Sequence, residues 1–190
     1  MIYLASKSPR RQELLKQIGI KFELVAADID ETPLDNELPL DYVNRIAVEK
    51  ALFAASHYPD KPLLAADTTV VCNNAILGKP RDRAHYQEMM ACLSGNSHQV
   101  ITAVAITQGR DRNAIATTIS SSEVNFRELM PSEIEAYWQT GEPADKAGGY
   151  AIQGMAAAFI SNIHGSYSGI MGLPLFETAE LLKKFAIKVI

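Results

Sequence analysis

The chain has 190 residues, of which 47% are hydrophobic, and its formal net charge is -4. This size and composition predict a single domain over residues 1–190, compact or built from two small lobes that share a groove, and they exclude a disordered or fibrous chain. The negative charge provides no broad positive field of the kind that binds a nucleic-acid backbone. Any phosphate-binding capacity must therefore be local.

The two cysteines, Cys72 and Cys92, lie far apart in the sequence and form neither a CxxC pair nor a Cys/His cluster with metal-ligand spacing. A reducing cytosol fits them best. The N-terminus lacks a basic leader followed by a long apolar stretch, and no apolar run approaches the roughly 18 residues of a membrane-spanning helix. We therefore expect a cytoplasmic protein that is not inserted into a membrane.

The first half of the chain predicts alternating strands and helices. Ser8 is predicted to cap the first helix, and Asn73-Asn74 has the composition of a hairpin turn. The predicted elements are a strand at 2–5, a helix from Pro9 to Gly19, strands at 22–26 and 63–72, a helix at 40–57 and a short hairpin strand at 76–77. The strand at 63–72 is almost continuously apolar, which indicates burial on both of its faces.

The second half continues this alternation. Its predicted elements are a helix from Asp82, which is predicted to cap it, to Leu93, strands at 100–107 and 114–124 joined by a polar turn at 108–113, a helix from Pro131 to Gly141, a strand at 157–163 and a last helix at 175–185. Together the two halves predict a mixed α/β fold.

Asp67 lies inside the apolar strand at 63–72. Burying an ionised carboxylate without a partner is costly, so this side chain must pair, bind a cation or lie at the rim of a pocket. One interpretation makes Asp67 a general base or a metal ligand. The other makes it a structural residue that is hydrogen-bonded to the neighbouring backbone.

Arg10 and Arg11 fall in the opening turn of the first predicted helix. Two cations there oppose the helix dipole, at a cost of about 0.3–1 kcal/mol each when exposed. A bound phosphate would reverse this effect by accepting hydrogen bonds from both guanidinium groups and from backbone N–H groups. Alternatively, both arginines extend into water.

Further charged residues could converge on the same groove. The acidic loop that contains Asp28, Asp30 and Glu31 would form an oxygen-rich Mg²⁺ or Mn²⁺ site if it approached Asp67, although acidic loops are usually just solvated. Lys50 and Lys79 could neutralise a phosphate chain. The alternative for Lys50 is an aliphatic stem packed along the helix with its ammonium group in water.

The segment at 145–154 is too rich in glycine for an ordinary strand. Such a segment lets a ligand approach the backbone closely, and Gln153 offers a donor and an acceptor to a nucleobase edge. A plain connector is the alternative. No P-loop, GxSxG or HExxH motif is present, which sets aside the common ATPases, hydrolases and zinc proteases that bear those motifs.

Taken together, these segments resemble the Maf family of nucleotide pyrophosphatases along nearly the whole chain. The matching segments are residues 4–11 (LASKSPRR), Asp30-Glu31, Glu49-Lys50-Ala51, Ala66-Asp67-Thr68, 78–82 (GKPRD), 145–154 (DKAGGYAIQG) and 172–175 (GLPL). Lys7 and Gly149 depart mildly from the family pattern. The dTTP- and UTP-cleaving branch fits best, because the 7-methyl-GTP branch tends to have Trp after the Ser-Pro pair.

The resemblance implies specific roles for the site residues. Asp67 would accept a proton and bind a divalent metal, Mg²⁺ or Mn²⁺, with help from Glu31. The remaining implied residues are Ser8, Arg10 and Arg11 on the phosphates, Lys50 and Lys79 as further catalytic cations, and Arg10, Thr68 and Gln153 as positions that influence substrate choice.

The implied fold is of the ITPase/Maf type, an elongated mixed sheet with flanking helices and two lobes around a substrate groove. The implied activity is hydrolysis of dTTP, UTP or modified pyrimidine triphosphates to the monophosphate and pyrophosphate, which clears unwanted nucleotides. A non-enzymatic nucleotide-binding regulator of septum formation is the alternative. Homodimers are common in the family, and the sequence neither requires nor excludes one.

Overall fold

The computed structural model describes residues 1–108 and 114–189. Seven strands form one mixed sheet in the order β2-β1-β3-β5-β6-β7, with β4 paired to β3. β1 is parallel to β2 and β3, whereas the other pairs are antiparallel. The strands are β1 (Ile2–Ala5), β2 (Phe22–Leu24), β3 (Pro62–Cys72), β4 (Ala75–Leu77), β5 (Ser97–Gln108), β6 (Ile115–Phe126) and β7 (Ile160–His164).

Helices flank this sheet, which confirms the predicted α/β class. They are α1 (Pro9–Gln17), α2 (Pro39–His57), α3 (Arg83–Leu93), α4 (Pro131–Gln139), α5 (Tyr167–Met171) and α6 (Leu175–Lys184), with 3₁₀ helices at Glu142–Asp145, Ala147–Gly149 and Met155–Phe159. The sequence did not predict α5 or the 3₁₀ helices. Apart from Gln108, the polar turn predicted at 108–113 lies outside the described residues. None of the described helices has the length and apolar character needed to cross a bilayer.

Strand β3 is buried on both faces, as its apolar sequence predicts. Ala65 belongs to a cluster formed mainly with α2, whereas Leu64 and Ala66 belong to a cluster formed with α1 and α6 on the other face. Beyond Val70 a third cluster forms between α3, α4 and the segments near the end of the chain. Asp67 lies between Ala65 and Val71, which both belong to the first cluster.

Two of the predicted turn and cap features are confirmed, and one is wrong. Asn73 and Asn74 have φ values of 50° and 63°, as a two-residue hairpin loop requires. Asp82 caps α3 by accepting a hydrogen bond from the backbone N–H of His85 at 2.8 Å. Ser8 is the N-cap residue of α1, but its side chain makes no capping hydrogen bond. The hydroxyl of Ser8 therefore does not satisfy the start of α1.

The structure joins Cys72 and Cys92 in a disulfide bond, a pairing that the sequence did not predict. Cys72 ends β3 and Cys92 lies near the end of α3, and the two Cα atoms are 6.6 Å apart. The packing of α3 against this end of β3 brings the two residues together. Sequence spacing alone could not reveal this contact.

His98 is buried in the third cluster. Its burial should make the free energy of unfolding depend on pH. Its Nε2 lies 2.7 Å from the Tyr150 hydroxyl, and burial lowers its pKa from 6.5 to about 4. Between these values the unfolded chain binds a proton at this position that the folded chain does not. The free energy of unfolding should therefore fall as the pH is lowered from 6.5 to about 4, by about 3 kcal/mol for the complete shift.

Urea unfolding measured from pH 8 to pH 4 tests this prediction. The acid-side decline should be shallower in His98→Gln than in the native chain. Replacing the exposed His57, at the end of α2, gives the matched control His57→Gln, which should keep the native profile. An identical decline in the His98→Gln variant and the native chain would contradict the assignment.

Candidate active site

One groove with a volume of about 810 Å³ runs along the sheet where β1 and β3 meet the third cluster. Every site residue that the family resemblance implied lines this groove, namely Ser8, Arg10, Arg11, Glu31, Lys50, Asp67, Thr68, Lys79 and Gln153. They come from the start of α1 and the residue before it, the acidic loop, α2, β3, the segment after β4 and the glycine-rich segment. The fold therefore brings together residues that are widely separated in sequence, although placement alone leaves their roles as predictions.

The centre of the groove is an ion-pair cluster built on Lys50. The Lys50 ammonium lies 2.8 Å from Asp67 Oδ1 and 2.7 Å from Glu31 Oε1. Lys50 and Asp67 are only 9% and 7% exposed, whereas about half of the Glu31 side chain is exposed. Lys50 therefore does not extend into water, and Asp67 pairs with a side chain rather than only with the neighbouring backbone.

Burial raises the pKa of Asp67 above its usual value, and the nearby Lys50 and Arg11 only partly offset this rise. A carboxylate with a raised pKa is a stronger proton acceptor once it is ionised. Within the described part of the chain, Asp67 uses Oδ1 for Lys50, and Oδ2 makes no hydrogen bond. The geometry thus suits Asp67 for removing a proton from a ligand or from a water molecule in the groove.

Arg11 is tied into the protein by three hydrogen bonds. Its Nε donates to the carbonyl oxygen of Gly172 at 2.8 Å, Nη1 donates to Ser6 Oγ at 3.3 Å, and Nη2 donates to Thr68 Oγ1 at 3.0 Å. The interpretation that Arg11 extends into water is therefore wrong. A guanidinium group has five N–H donors, so two remain for a ligand.

Thr68 is similarly engaged by its neighbours. Its hydroxyl accepts from Arg11 and lies 2.8 Å from Thr102 Oγ1, and the Thr102 hydroxyl donates to the carbonyl oxygen of Gly169 at 2.8 Å. Because Thr102 uses its own hydrogen on Gly169, Thr68 must be the donor in the contact between the two hydroxyls. Thr68 can therefore meet a ligand only as an acceptor, a constraint that the sequence did not reveal.

Arg10 differs from Arg11 in its environment, which predicts different effects of substitution. In the described ranges its side chain makes no hydrogen bond, although it lines the groove. Arg10→Gln should therefore weaken tripolyphosphate binding about tenfold with little change in stability. Arg11→Gln should lower the free energy of unfolding by about 2 kcal/mol, because it removes three part-buried hydrogen bonds.

Calorimetric titration with tripolyphosphate and urea unfolding measure these two effects. Each variant serves as the control for the other, since both replace one arginine of the same helical turn by a neutral residue. Equal losses of stability in the two variants would show that the hydrogen-bond difference between them has no energetic consequence.

The acidic loop is held in place by two residues of α2 that the sequence analysis missed. Tyr42 donates its hydroxyl to the carbonyl oxygen of Glu31 at 3.0 Å, and Arg45 Nη2 donates to the carbonyl oxygen of Thr32 at 3.1 Å. Arg45 also binds both carboxylate oxygens of Glu37, which lowers the pKa of Glu37 to about 2. The loop thus has a defined path that brings Glu31 to Lys50. The only sequence signal for the residues that hold it was the spacing of Arg45 and Glu49 on α2.

The other acidic residues of this loop stay outside the Lys50 cluster, although Asp28 lines the groove. Asp28 and Asp30 are exposed, as a solvated loop predicts, and Asp28 forms an ion pair with the exposed Lys7 at 2.9 Å. Lys79, after β4, lines the groove without belonging to the Lys50 cluster. Of the three loop acids considered for a metal site, only Glu31 joins Asp67.

The fold and the groove define an α/β protein that brings two carboxylates and several cations together in one cleft. The sequence pattern of the Maf-like proteins matches residues 1–185, and the chain belongs to this family. It is 53% identical to a dTTP/UTP pyrophosphatase of Nitrosomonas europaea, covering 99% of this chain and 96% of that protein. It is also 52% identical to a dTTP/UTP pyrophosphatase of Alkalilimnicola ehrlichii, covering 98% and 93%.

A solved structure supports the fold independently of close sequence similarity. The HAM1 protein of Coxiella burnetii superposes with a TM-score of 0.54 at 16% identity, covering 96% of this chain and 98% of that chain. At this identity the similarity extends to the fold alone. It confirms the expected architecture of a central sheet with flanking helices.

Proposed function

We propose that this chain hydrolyses dTTP and UTP to the nucleoside monophosphate and pyrophosphate. The observation that carries the proposal is the cluster in which Lys50 joins Glu31 to the buried Asp67, inside a groove that also contains Arg10 and Lys79. The names of the Nitrosomonas and Alkalilimnicola relatives support the substrates. Clearance of unwanted pyrimidine triphosphates is the cellular role that we infer.

In this reaction a water oxygen attacks the α-phosphorus and forms the new P–O bond. Asp67 takes the proton of that water, with Oδ2 as the free oxygen. The bond between the α-phosphorus and the bridging oxygen breaks, and pyrophosphate leaves with the bonding electron pair. Arg10, Lys79 and the remaining N–H donors of Arg11 stabilise the charge that develops on the phosphates.

Lys50 contributes in two ways. Its ammonium group keeps Asp67 and Glu31 close together despite their like charges, because it contacts both carboxylates. It also places a positive charge beside the proton acceptor, where negative charge accumulates when phosphate binds. The electrostatic balance of the site therefore depends on this one lysine.

The donors present fit the Mg²⁺ or Mn²⁺ that we propose as cofactor. Over the described residues no group of three or more His, Cys, Asp or Glu side chains could hold a metal by itself. Mg²⁺ is commonly bound by only one or two carboxylates together with substrate phosphates, and Glu31 and Asp67 supply that number. When bound, the ion would polarise the phosphoryl oxygens and lower the pKa of the attacking water.

We also propose that the partner of the groove is a free nucleotide rather than a nucleic acid. The net charge is -4, and Lys50 is already paired with two carboxylates of the groove. Sequence-independent binding to a nucleic-acid backbone instead requires an extended cationic surface. A cytoplasmic location and a homodimer remain predictions, and sedimentation equilibrium would measure the latter.

Product analysis in ¹⁸O-labelled water tests the proposed reaction. The purified chain is incubated with Mg²⁺ or Mn²⁺ and dTTP, UTP, CTP, GTP or 7-methyl-GTP. We expect dTTP and UTP to be cleaved fastest, with ¹⁸O in the monophosphate and none in pyrophosphate. Release of orthophosphate and diphosphate would contradict attack at the α-phosphorus, and tight binding without turnover would favour the regulator.

A further inference from the structure

Gln153 lies on the groove in a stretch without regular structure, between the 3₁₀ helices at Ala147–Gly149 and Met155–Phe159. A carboxamide can pair with the edge of uracil or, after a flip, with the edge of cytosine, because it has both a donor and an acceptor. Base selectivity therefore requires that the surrounding structure holds this segment in a defined position. The contacts that hold it lie outside the groove.

A phenol and a carboxylate hold the backbone on both sides of Gln153. The Tyr137 hydroxyl donates to Glu142 Oε1 at 2.6 Å and accepts from the N–H of Ala151 at 3.1 Å. The second oxygen of Glu142, Oε2, accepts from the N–H of Met155 at 3.2 Å. The residues two positions before and two positions after Gln153 are thus attached to the same pair of side chains.

Gly154 brings the Glu142 carboxylate against the backbone next to Gln153. A Cβ atom at position 154 would overlap the carboxylate, so only glycine allows this close approach. Tyr137 is itself fixed, since it is 3% exposed and its ring packs edge-on against the Phe159 ring, with 5.3 Å between the two ring centroids. Burial and the contact with Glu142 raise the pKa of Tyr137, which keeps its hydroxyl protonated as a donor.

We propose that Tyr137 and Glu142 are positioning residues that set the base selectivity of the groove by fixing the segment around Gln153. This rests on the function proposed above. Among the described residues that line the groove, neither Tyr137 nor Glu142 is present, so their effect on a nucleotide must pass through the segment they hold. Their removal should change which base is preferred more than it changes the chemical step.

Binding of α,β-imido dUTP and α,β-imido dCTP measures selectivity without turnover, because the bridging oxygen of the bond to be cleaved is replaced. Calorimetry should show that the native chain prefers the uracil analogue. Selectivity is expressed as the dissociation constant of the dCTP analogue divided by that of the dUTP analogue. In Tyr137→Phe and in Glu142→Ala this ratio should fall about tenfold, as expected when a bidentate base contact is lost. Glu142→Gln, which keeps an acceptor, should recover part of the ratio.

Tyr86→Phe is a matched control. Tyr86 is fully buried in the same cluster, and its hydroxyl donates to the carbonyl oxygen of Ile134 at 3.1 Å rather than to the segment around Gln153. This variant also loses a hydrogen bond from a buried phenol, yet it should keep the native ratio. A fall in the ratio as large as that in Tyr137→Phe would mean that any lost hydrogen bond in this cluster lowers the selectivity. That result would overturn the proposal.

A double-mutant cycle separates positioning from a merely structural role. If Tyr137 acts through Gln153, Tyr137→Phe should change the ratio much less when Gln153→Ala is already present. Additive effects on the ratio would overturn the proposal, as would a native chain that binds both analogues equally. Binding alone decides these outcomes, so the absence of turnover would contradict the proposed function and leave this inference standing.

Discussion

Asp67→Asn should lower kcat for dTTP by about 10²–10⁴-fold while dTTP still binds, because proton transfer by a positioned side chain contributes about that factor. The asparagine oxygen can still accept the Lys50 hydrogen bond that Asp67 Oδ1 accepts at 2.8 Å. The groove should therefore keep its shape while it loses the group that takes the proton of water. Single-turnover kinetics with dTTP, together with calorimetric binding of α,β-imido dUTP, measure the two effects separately.

Asp41→Asn is the control for this substitution. Asp41 is exposed in the first turn of α2, whereas Lys50 lies further along the same helix. The control variant should retain native kcat. An Asp67→Asn variant that retained native kcat would exclude Asp67 as the general base. Loss of both turnover and binding would instead assign Asp67 mainly to holding the metal–phosphate complex.

The parts of the fold that could be predicted are those with local signals. The apolar run of β3, the two asparagines of the hairpin and the Asp82 cap all express preferences that act within a few residues. The five-residue helix α5 has a cap as its local signal but no apolar periodicity, because it is short and its burial depends on contacts with β5 and β6. Its start is fixed by Ser166, whose hydroxyl accepts from the N–H of Gly169 at 3.0 Å.

For the site, the sequence indicated candidate residues but not the contacts that those residues make. The sequence made Asp67 a candidate, because a carboxylate in a buried strand is costly, and the family resemblance added Lys50. It could not show that they bind each other, since 17 positions separate them and the contact depends on α2 lying across β3. Two of the three partners of Arg11 were hidden for the same reason, because Thr68 and Gly172 are 57 and 161 positions away.

Lys50→Met should be the most disruptive single change at the site. It leaves the ionised Asp67 buried without its cation, and removing one partner of a buried ion pair costs about 3 kcal/mol or more of the free energy of unfolding. We also expect kcat for dTTP to fall by about 10²-fold or more, because a fixed positive charge next to the reacting groups is lost. Urea unfolding and steady-state kinetics at neutral pH measure the two losses.

The double variant Lys50→Met/Asp67→Asn distinguishes an ion-pair effect from lost packing. It should regain most of the stability, because no ionised group remains buried, and it should stay inactive, because the proton acceptor is gone. Lys183→Met is the matched control, since Lys183 pairs with Glu180 on the exposed face of α6, where an ion pair contributes at most about 1 kcal/mol. A double variant as unstable as Lys50→Met would mean that the lysine stem, rather than its charge, stabilises α2 against β3. Recovery of stability without activity would instead mean that the buried ion pair contributes to catalysis rather than to stability, because the fold is as stable without it.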